Sequence, residues 1–268
     1  MPYYDIVYSQ DPATGFVVFD SNGFPVQDPA ANAGLAATNT YGNLQAKIQD
    51  EVLGSPTTAQ IQNAIQDAIA YFEGMTFWFN NIRYFGASAG STSNLQTVAG
   101  QEIYSSQQVP ILGNMPAIKN IMIYAFGNRY PLRSRTDEWI DDQSVSQSWE
   151  GLPTDYCISG GTSIRLYPIP NGVYSLTLIG TVRLPALVSL TDYGVWTNRA
   201  EGLIRQEAKR NLFMNITRNP TQVAAMESDL YGNPNIGRQG LLARLRRESQ
   251  TRLGTGGGGK VRASRGHM

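Results

Sequence analysis

One stretch constrains the fold more than any other: Thr58-Ala-Gln-Ile-Gln-Asn-Ala-Ile-Gln-Asp-Ala-Ile-Ala-Tyr-Phe-Glu-Gly-Met-Thr-Phe-Trp-Phe79. Ile61, Ile65, Ile69 and Phe72 recur at helical spacing, and Ala64, Ala68 and Tyr71 widen the stripe. Gln60, Gln62, Gln66, Asp67 and Glu73 fall mostly outside it, so the spacing predicts an amphipathic helix with one face to bury. Pro56 with Thr57 or Thr58 marks its start, because a threonine hydroxyl accepts from the free amides of a first turn. Gly74 marks its end. Phe77, Trp78 and Phe79 follow almost at once, and three adjacent large aromatics cannot share a face, so more than one neighbour must hold them. Ile61, Ile65, Ile69, Phe72, Phe77, Trp78 and Phe79 are therefore expected in the structural core. The alternative for the three aromatics is an exposed interface.

The rest of the composition limits chemistry more than shape. With 268 residues, 41% of them hydrophobic, the chain can bury a substantial core as one large domain or two small ones. No apolar run approaches the ~18 residues a membrane helix needs, so no membrane is expected as a partner. The opening Met-Pro-Tyr-Tyr-Asp lacks the basic and apolar regions of a secretory leader, and cytoplasmic synthesis is expected. Lys+Arg and Asp+Glu balance at 21 each, which argues against a strongly steered nucleic-acid binder. Cys157 is the only cysteine and His267 the only histidine. An internal disulfide, a Ser-His-Asp triad and a His-rich metal site are all excluded or nearly so. No cofactor or metal is expected.

Along the chain, residues 1 to 39 are rich in Asp, Asn, Pro, Ala and Gly without a helical period, and read as an arm. Gly15 to Phe19 and Phe24 to Val26 could form a small hairpin around Asn22-Gly23. Leu44, Ile48 and Val52 mark a short helix capped by Thr40 or Asn43 and stopped by Gly54. Ala87 to Ser93 reads as a loop, and from there the period tends towards two, with strands at Gln101–Tyr104 and Ile118–Tyr124, extended by Arg129–Leu132. Thr136 caps a helical turn at Asp137–Ile140. Thr162–Tyr167 and Val173–Ile179 both alternate around the turn Pro168-Ile-Pro-Asn-Gly172, which predicts a β-hairpin. From Asn198 helical spacing returns through Ala200, Leu203, Ile204, Ala208, Leu212 and Phe213. A further helix starts at Asn219-Pro220, and another around Leu241–Leu245 follows an interruption at Gly232–Gly237.

The expected fold class is α+β: a helical bundle formed by the N- and C-terminal halves, with an inserted antiparallel β domain. The expected organisation is an arm at 1–39, a helical body at 40–85 and 186–250, a β domain at 86–185, and a flexible basic tail at 251–268.

Three features could carry chemistry. Gly254-Thr-Gly-Gly-Gly-Gly259-Lys260 nearly spells a phosphate-binding loop, but Val261 stands where a Ser or Thr must hold magnesium, so a tether is the reading. Asp137, Glu138, Asp141 and Asp142 surround Trp139; paired acids could bind a cation or run a glycosidase mechanism, while the plainer reading is an acidic helix N-terminus. Arg238, Arg244, Arg246, Arg247, Arg252, Lys260, Arg262 and Arg265 have only Glu248 as a nearby acid. Such a basic tail calls for an electrostatic partner, nucleic acid or an acidic protein surface.

Taken in order, these pieces resemble the head–tail connector (adaptor) proteins of tailed bacteriophages. The resemblance rests on Ala64-Ile-Gln-Asp-Ala-Ile-Ala-Tyr-Phe72 with Phe77-Trp-Phe-Asn80, on Ile164-Arg-Leu-Tyr-Pro-Ile-Pro-Asn-Gly-Val-Tyr-Ser-Leu178 with Arg183-Leu-Pro-Ala-Leu187, and on the closing helical pair with its basic tail. It covers roughly residues 41 to 253. It implies a non-enzymatic virion protein, assembled in the host cytoplasm into a ring, expected with twelve copies, below the portal. Its partners would be the portal protein, the tail or next connector or nozzle protein, its own copies, and genomic DNA passing without sequence specificity. The eight basic residues named above are then the expected portal interface, with 238–268 ordering only on contact. A tail-associated β module binding host glycan or a fibre, and a carboxylate-based cell-wall lytic enzyme using Glu138 or Asp141, are the alternatives from other classes.

Overall fold

The structure, a computed structural model, describes residues 39–52, 54–85, 95–146, 149–233 and 237–253. The expected arm therefore lies almost entirely outside the described residues, as does the tail beyond Leu253.

Helix α1 (Tyr41–Glu51) starts where the Thr40 hydroxyl accepts from Asn43 N at 3.2 Å. Helix α2 (Thr58–Glu73) opens with a reciprocal capping box: Thr57 accepts from Gln60 N, and Gln60 accepts from Thr57 N at 2.8 Å. Gly74 closes it. Its inward stripe of Ile61, Ala64, Ile65, Ala68, Ile69 and Phe72 is buried against the later helices. These are α4 (Val195–Asn198), α5 (Glu201–Asn215), α6 (Pro220–Tyr231) and α7 (Leu241–Arg252), and both α2 and α6 pack on α5. Asn219 caps α6 by accepting from Gln222 N at 3.2 Å, with Pro220 at the first helical position. Helix α3 (Asp137–Ser146), capped by Thr136, stands apart against the strands.

The chain is thus α+β, with seven α-helices and several sheets among the described residues. One four-stranded antiparallel sheet orders β1 (Asn81–Phe85), β10 (Ser175–Thr181), β3 (Ala117–Ala125) and β4 (Asn128–Pro131). The second orders β2 (Ile103–Ser105), β8 (Ser163–Tyr167), β7 (Asp155–Ser159) and β5 (Arg133–Ser134), with β5 parallel to β7. Short β6 (Glu150–Gly151) and β9 (Ile169–Pro170) also run parallel.

Two expectations are corrected here. The strands at 163–167 and 175–181 do not form a hairpin; they lie in different sheets. Both strands alternate as expected, but Pro168 and Pro170 lack the N–H groups that would close a ladder between them. The intervening residues pair with β6 instead and carry the chain from one sheet to the other. Residues 81–85, read from sequence as part of the helical body, form an edge strand beside β10.

A continuous buried cluster joins these layers. It runs from Leu44, Ile48 and Ile65 through Phe77 and Phe79 to Ile121, Ile123, Leu176 and Leu178, and on to Leu242 and Leu245.

Candidate functional site

Residues 75–80 form the joint between helices, sheet and C-terminal helix. Asn80 is fully buried: its Oδ1 accepts from Phe77 N at 2.7 Å and its Nδ2 donates to Met75 O at 2.8 Å. That tight turn throws the three aromatics to different sides. Phe77 and Phe79 stack at 5.3 Å, and both rings meet Trp196 edge-on, at 6.4 and 5.3 Å. Trp196 is buried to 1% exposure and closes the aromatic cluster. Nothing in its local sequence (Gly-Val-Trp-Thr-Asn) announced that role. Trp78 sits at the edge of the core, partly buried, on the side facing α7.

There α7 is fastened. Ser249 Oγ accepts from Trp78 N at 3.1 Å and donates to Leu245 O at 2.7 Å. The Arg252 guanidinium lies 4.1 Å over the Trp78 ring and pairs with Glu248 at 2.8 Å. Arg246 donates to Met75 Sδ at 3.3 Å. Leu242, Leu245 and Ser249 point inward. In this single chain, residues 241–252 are a folded helix with a buried face, not a segment waiting for contact. The correction has a simple cause: three inward residues at helical spacing are enough to dock it.

Gly232 and Gly240 fix how α7 leaves α6. They border a two-stranded ribbon, β11 (Gly232–Asn233) with β12 (Arg238–Gln239). A Cβ at Gly240 would stand 2.2 Å from Leu230 O, and one at Gly232 2.4 Å from Arg238 O. Gly232 also takes φ +92°.

The outer face of α7 carries the predicted basic residues. Arg244, Arg246 and Arg247 are exposed. Arg238 is tied to Asp229 at 3.1 Å, an acid on the preceding helix that the charge pattern did not include. Among the described residues, Arg244 and Arg247 have no ion pair. Lys260, Arg262 and Arg265 lie outside the described residues. Cavities of about 190, 370 and 400 Å³ adjoin the helix.

The acid cluster is brought to a different task. Arg165, from β8, reaches Glu102, Asp141 and, at 3.7 Å, Asp137, so it clamps the first turns of α3 onto the second sheet. The Cys157 thiol donates to Asp137 at 2.9 Å. Hydrogen bonds from Cys157, Ser159 and Arg165 hold the Asp137 carboxyl below the usual range. Burial, then the hydrogen bond to Asp137 and that carboxylate's charge, push the Cys157 thiol up to about 12. Glu138 and Asp142 stay outside the clamp. Among the described residues, no His, Cys, Asp and Glu group of three or more could hold a metal ion.

The described residues thus form an α+β body that displays a docked helix with exposed arginines on its outer face. Residues 39–253 match the family described as SU10 adaptor protein, and the chain belongs to that family of phage head–tail adaptors. It is thus a phage structural protein and a component of the virion. A search of characterised proteins returned no match. Among the described residues, no helix is long and apolar enough to cross a membrane.

Proposed function

We propose that this chain is the head–tail adaptor of a tailed phage, forming a ring of twelve copies below the portal. The ring extends the DNA channel and joins the head to the tail or next connector. The organisation proposed with it is a helical body (40–80, 186–250) carrying a β domain (86–185) whose sheet residues 81–85 join as β1, with an arm at 1–39 and a basic tail at 251–268, assembled in the host cytoplasm. Such a part needs lateral surfaces for its neighbours and an end surface for the portal, and no catalytic group.

The observation that carries the reading is α7: its inner face is held by Leu242, Leu245 and Ser249, while Arg244 and Arg247 stand outward without an ion-pair partner among the described residues. A docked helix presents arginines at little entropic cost, and arginine's planar fork suits carboxylates on a protein partner.

The test is charge reversal, because deleting residues 238–268 would also remove Leu242 and Leu245 from the core. R244E/R247E should keep the wild-type melting temperature within about 2 °C, since exposed charges contribute little to stability. Its affinity for DNA-free portal should fall at least tenfold. Unchanged affinity for empty portal would overturn the assignment.

The β3–β4 hairpin favours a second contact, towards tail or host. Tyr124, Phe126 and Tyr130 are exposed there, Phe126 at 78% and with a left-handed φ of 52°. Binding on a glycan array that is lost in F126A would assign that tip to carbohydrate.

A further inference from the structure

The loop before α4 holds two aliphatic side chains in water on a rigid frame. Val188 is 81% exposed and Leu190 56%. Asp192 Oδ2 accepts from Val188 N and Ser189 N, each at 2.7 Å, and Asp192 N donates to Ser189 O at 2.9 Å. Two bonds pin this loop to the start of α1. Tyr41 N donates to Asp192 O at 2.7 Å, and Gly42 N to Leu190 O at 2.9 Å. A knob ordered before contact loses little entropy on binding. Asp192 Oδ1 has no hydrogen-bond partner among the described residues, so the knob carries one open carboxylate oxygen.

A recess lies on a different face. On α2, Gln66 donates to Leu187 O at 2.8 Å, and Glu73, on the same side of the helix, reaches Arg183 at 3.9 Å. Tyr71 is five residues on from Gln66, about 140° around the axis, and shares a side-chain hydrogen bond with Tyr231 of α6. Both tyrosines are half-exposed. Beside Tyr231 a cavity of about 370 Å³ opens between α6 and α7, lined also by Leu242, Ala243 and Arg246. Arg246 touches Met75 Sδ and has no ion pair among the described residues. It projects about 100° around α7 from Arg247 and about 160° from Arg244, off the crest that the portal reading uses.

Knob and recess thus sit on opposite flanks of α2, one with an open carboxylate oxygen and the other with an unpaired guanidinium. Two different, complementary surfaces on one chain join copies head to tail, and head-to-tail contacts close into rings. A two-fold pair would instead set knob against knob and carboxylate against carboxylate. We propose that the knob at 188–190 of one copy seats in the recess beside Tyr231 of the next, with Asp192 Oδ1 accepting from Arg246. This rests on the ring reading and names its lateral contact.

The test uses full-length V188C and A243C chains, both changes at exposed positions, with wild type and its buried Cys157 as the control. The two are mixed at about 1 mM, where a contact of millimolar affinity is half-populated, and treated with a short bismaleimide. Linked pairs with one chain of each kind should be at least tenfold more abundant than pairs from either variant alone. Adding L190D to the V188C chain should cut that yield at least fivefold and keep the melting temperature within about 2 °C. Pairs of V188C with itself, a yield that L190D leaves unchanged, or no linked pairs with or without portal would overturn the proposal. Rings that form on DNA-free portal without the V188C–A243C link would overturn the contact alone. Linked pairs in a protein that fails to bind portal would uphold the contact and overturn the portal reading.

Discussion

Trp78 and Phe77 are neighbours of the same chemical kind with different energetic roles. Phe77 is wholly buried between Phe79 and Trp196, so F77A should cost about 3–5 kcal/mol. Trp78 is partly buried, and its backbone N–H keeps its bond to Ser249 whatever the side chain. W78A loses ring contacts and the Arg252 stack, and should cost less, about 1–3 kcal/mol. Urea titration of both variants checks the order. Gly240 is the residue with least tolerance: G240A drives a methyl into the Leu230 carbonyl and should cost more than about 2 kcal/mol, read as an earlier urea midpoint. Cys157 gives the pH-dependent case. Its raised pKa means that the fold favours the neutral thiol, so its contribution to stability is intact below the ordinary thiol range and lost as pH rises towards about 12. At pH 8 its reaction with a disulfide reagent should be at least ~100-fold slower in the native protein than in urea, because little thiolate forms.

At the scale of elements, the acid-rich helix α3 depends on one cation. R165Q should release α3 from the second sheet at a cost of about 2 kcal/mol, and R165K should rescue it only in part, since an ammonium cannot reach three carboxylates as a guanidinium does. Trp139 reports the release. Its ring meets Tyr167 edge-on at 5.9 Å and lies 4.5 Å below Arg135, so its near-UV circular dichroism should collapse while the far-UV signal persists. The lowered pKa of Asp137 sets the sign with pH: this anchoring is present above the ordinary carboxylate range and is lost as pH falls through the lower native value. Sequence reading found the helices well at this scale. The stripe from Ile61 to Phe72, the Thr57 cap and the Asn219-Pro220 start are local signals, and the structure realises each where the pattern lies. The partner of a strand is not a local signal. Ser163–Tyr167 and Ser175–Thr181 alternate as strands should, yet their hydrogen bonds go to β2 and β7 in one case and to β1 and β3 in the other.

For the whole molecule, the free protein should sediment as a monomer or weak oligomer and close into a ring on the portal. A stable large ring of free protein at micromolar concentration would contradict this. Composition determined that no disulfide, His-based triad or His-rich metal site could organise the chain, because one Cys and one His cannot build them. Periodicity determined where the helices lie, and the charge pattern where the arginines cluster. Tertiary structure alone decided which arginines remain available. Arg238 is neutralised by Asp229 and Arg252 is drawn onto Trp78, whereas Arg244 and Arg247 face outward. It also drew Asp137 and Asp141, two of the four acids around Trp139, into a clamp, through an arginine on a strand distant in sequence. The physical reason is common to both. Periodicity and capping are set by bonds within a few residues, but the pairing of a charge depends on which distant group the packed core carries into its reach.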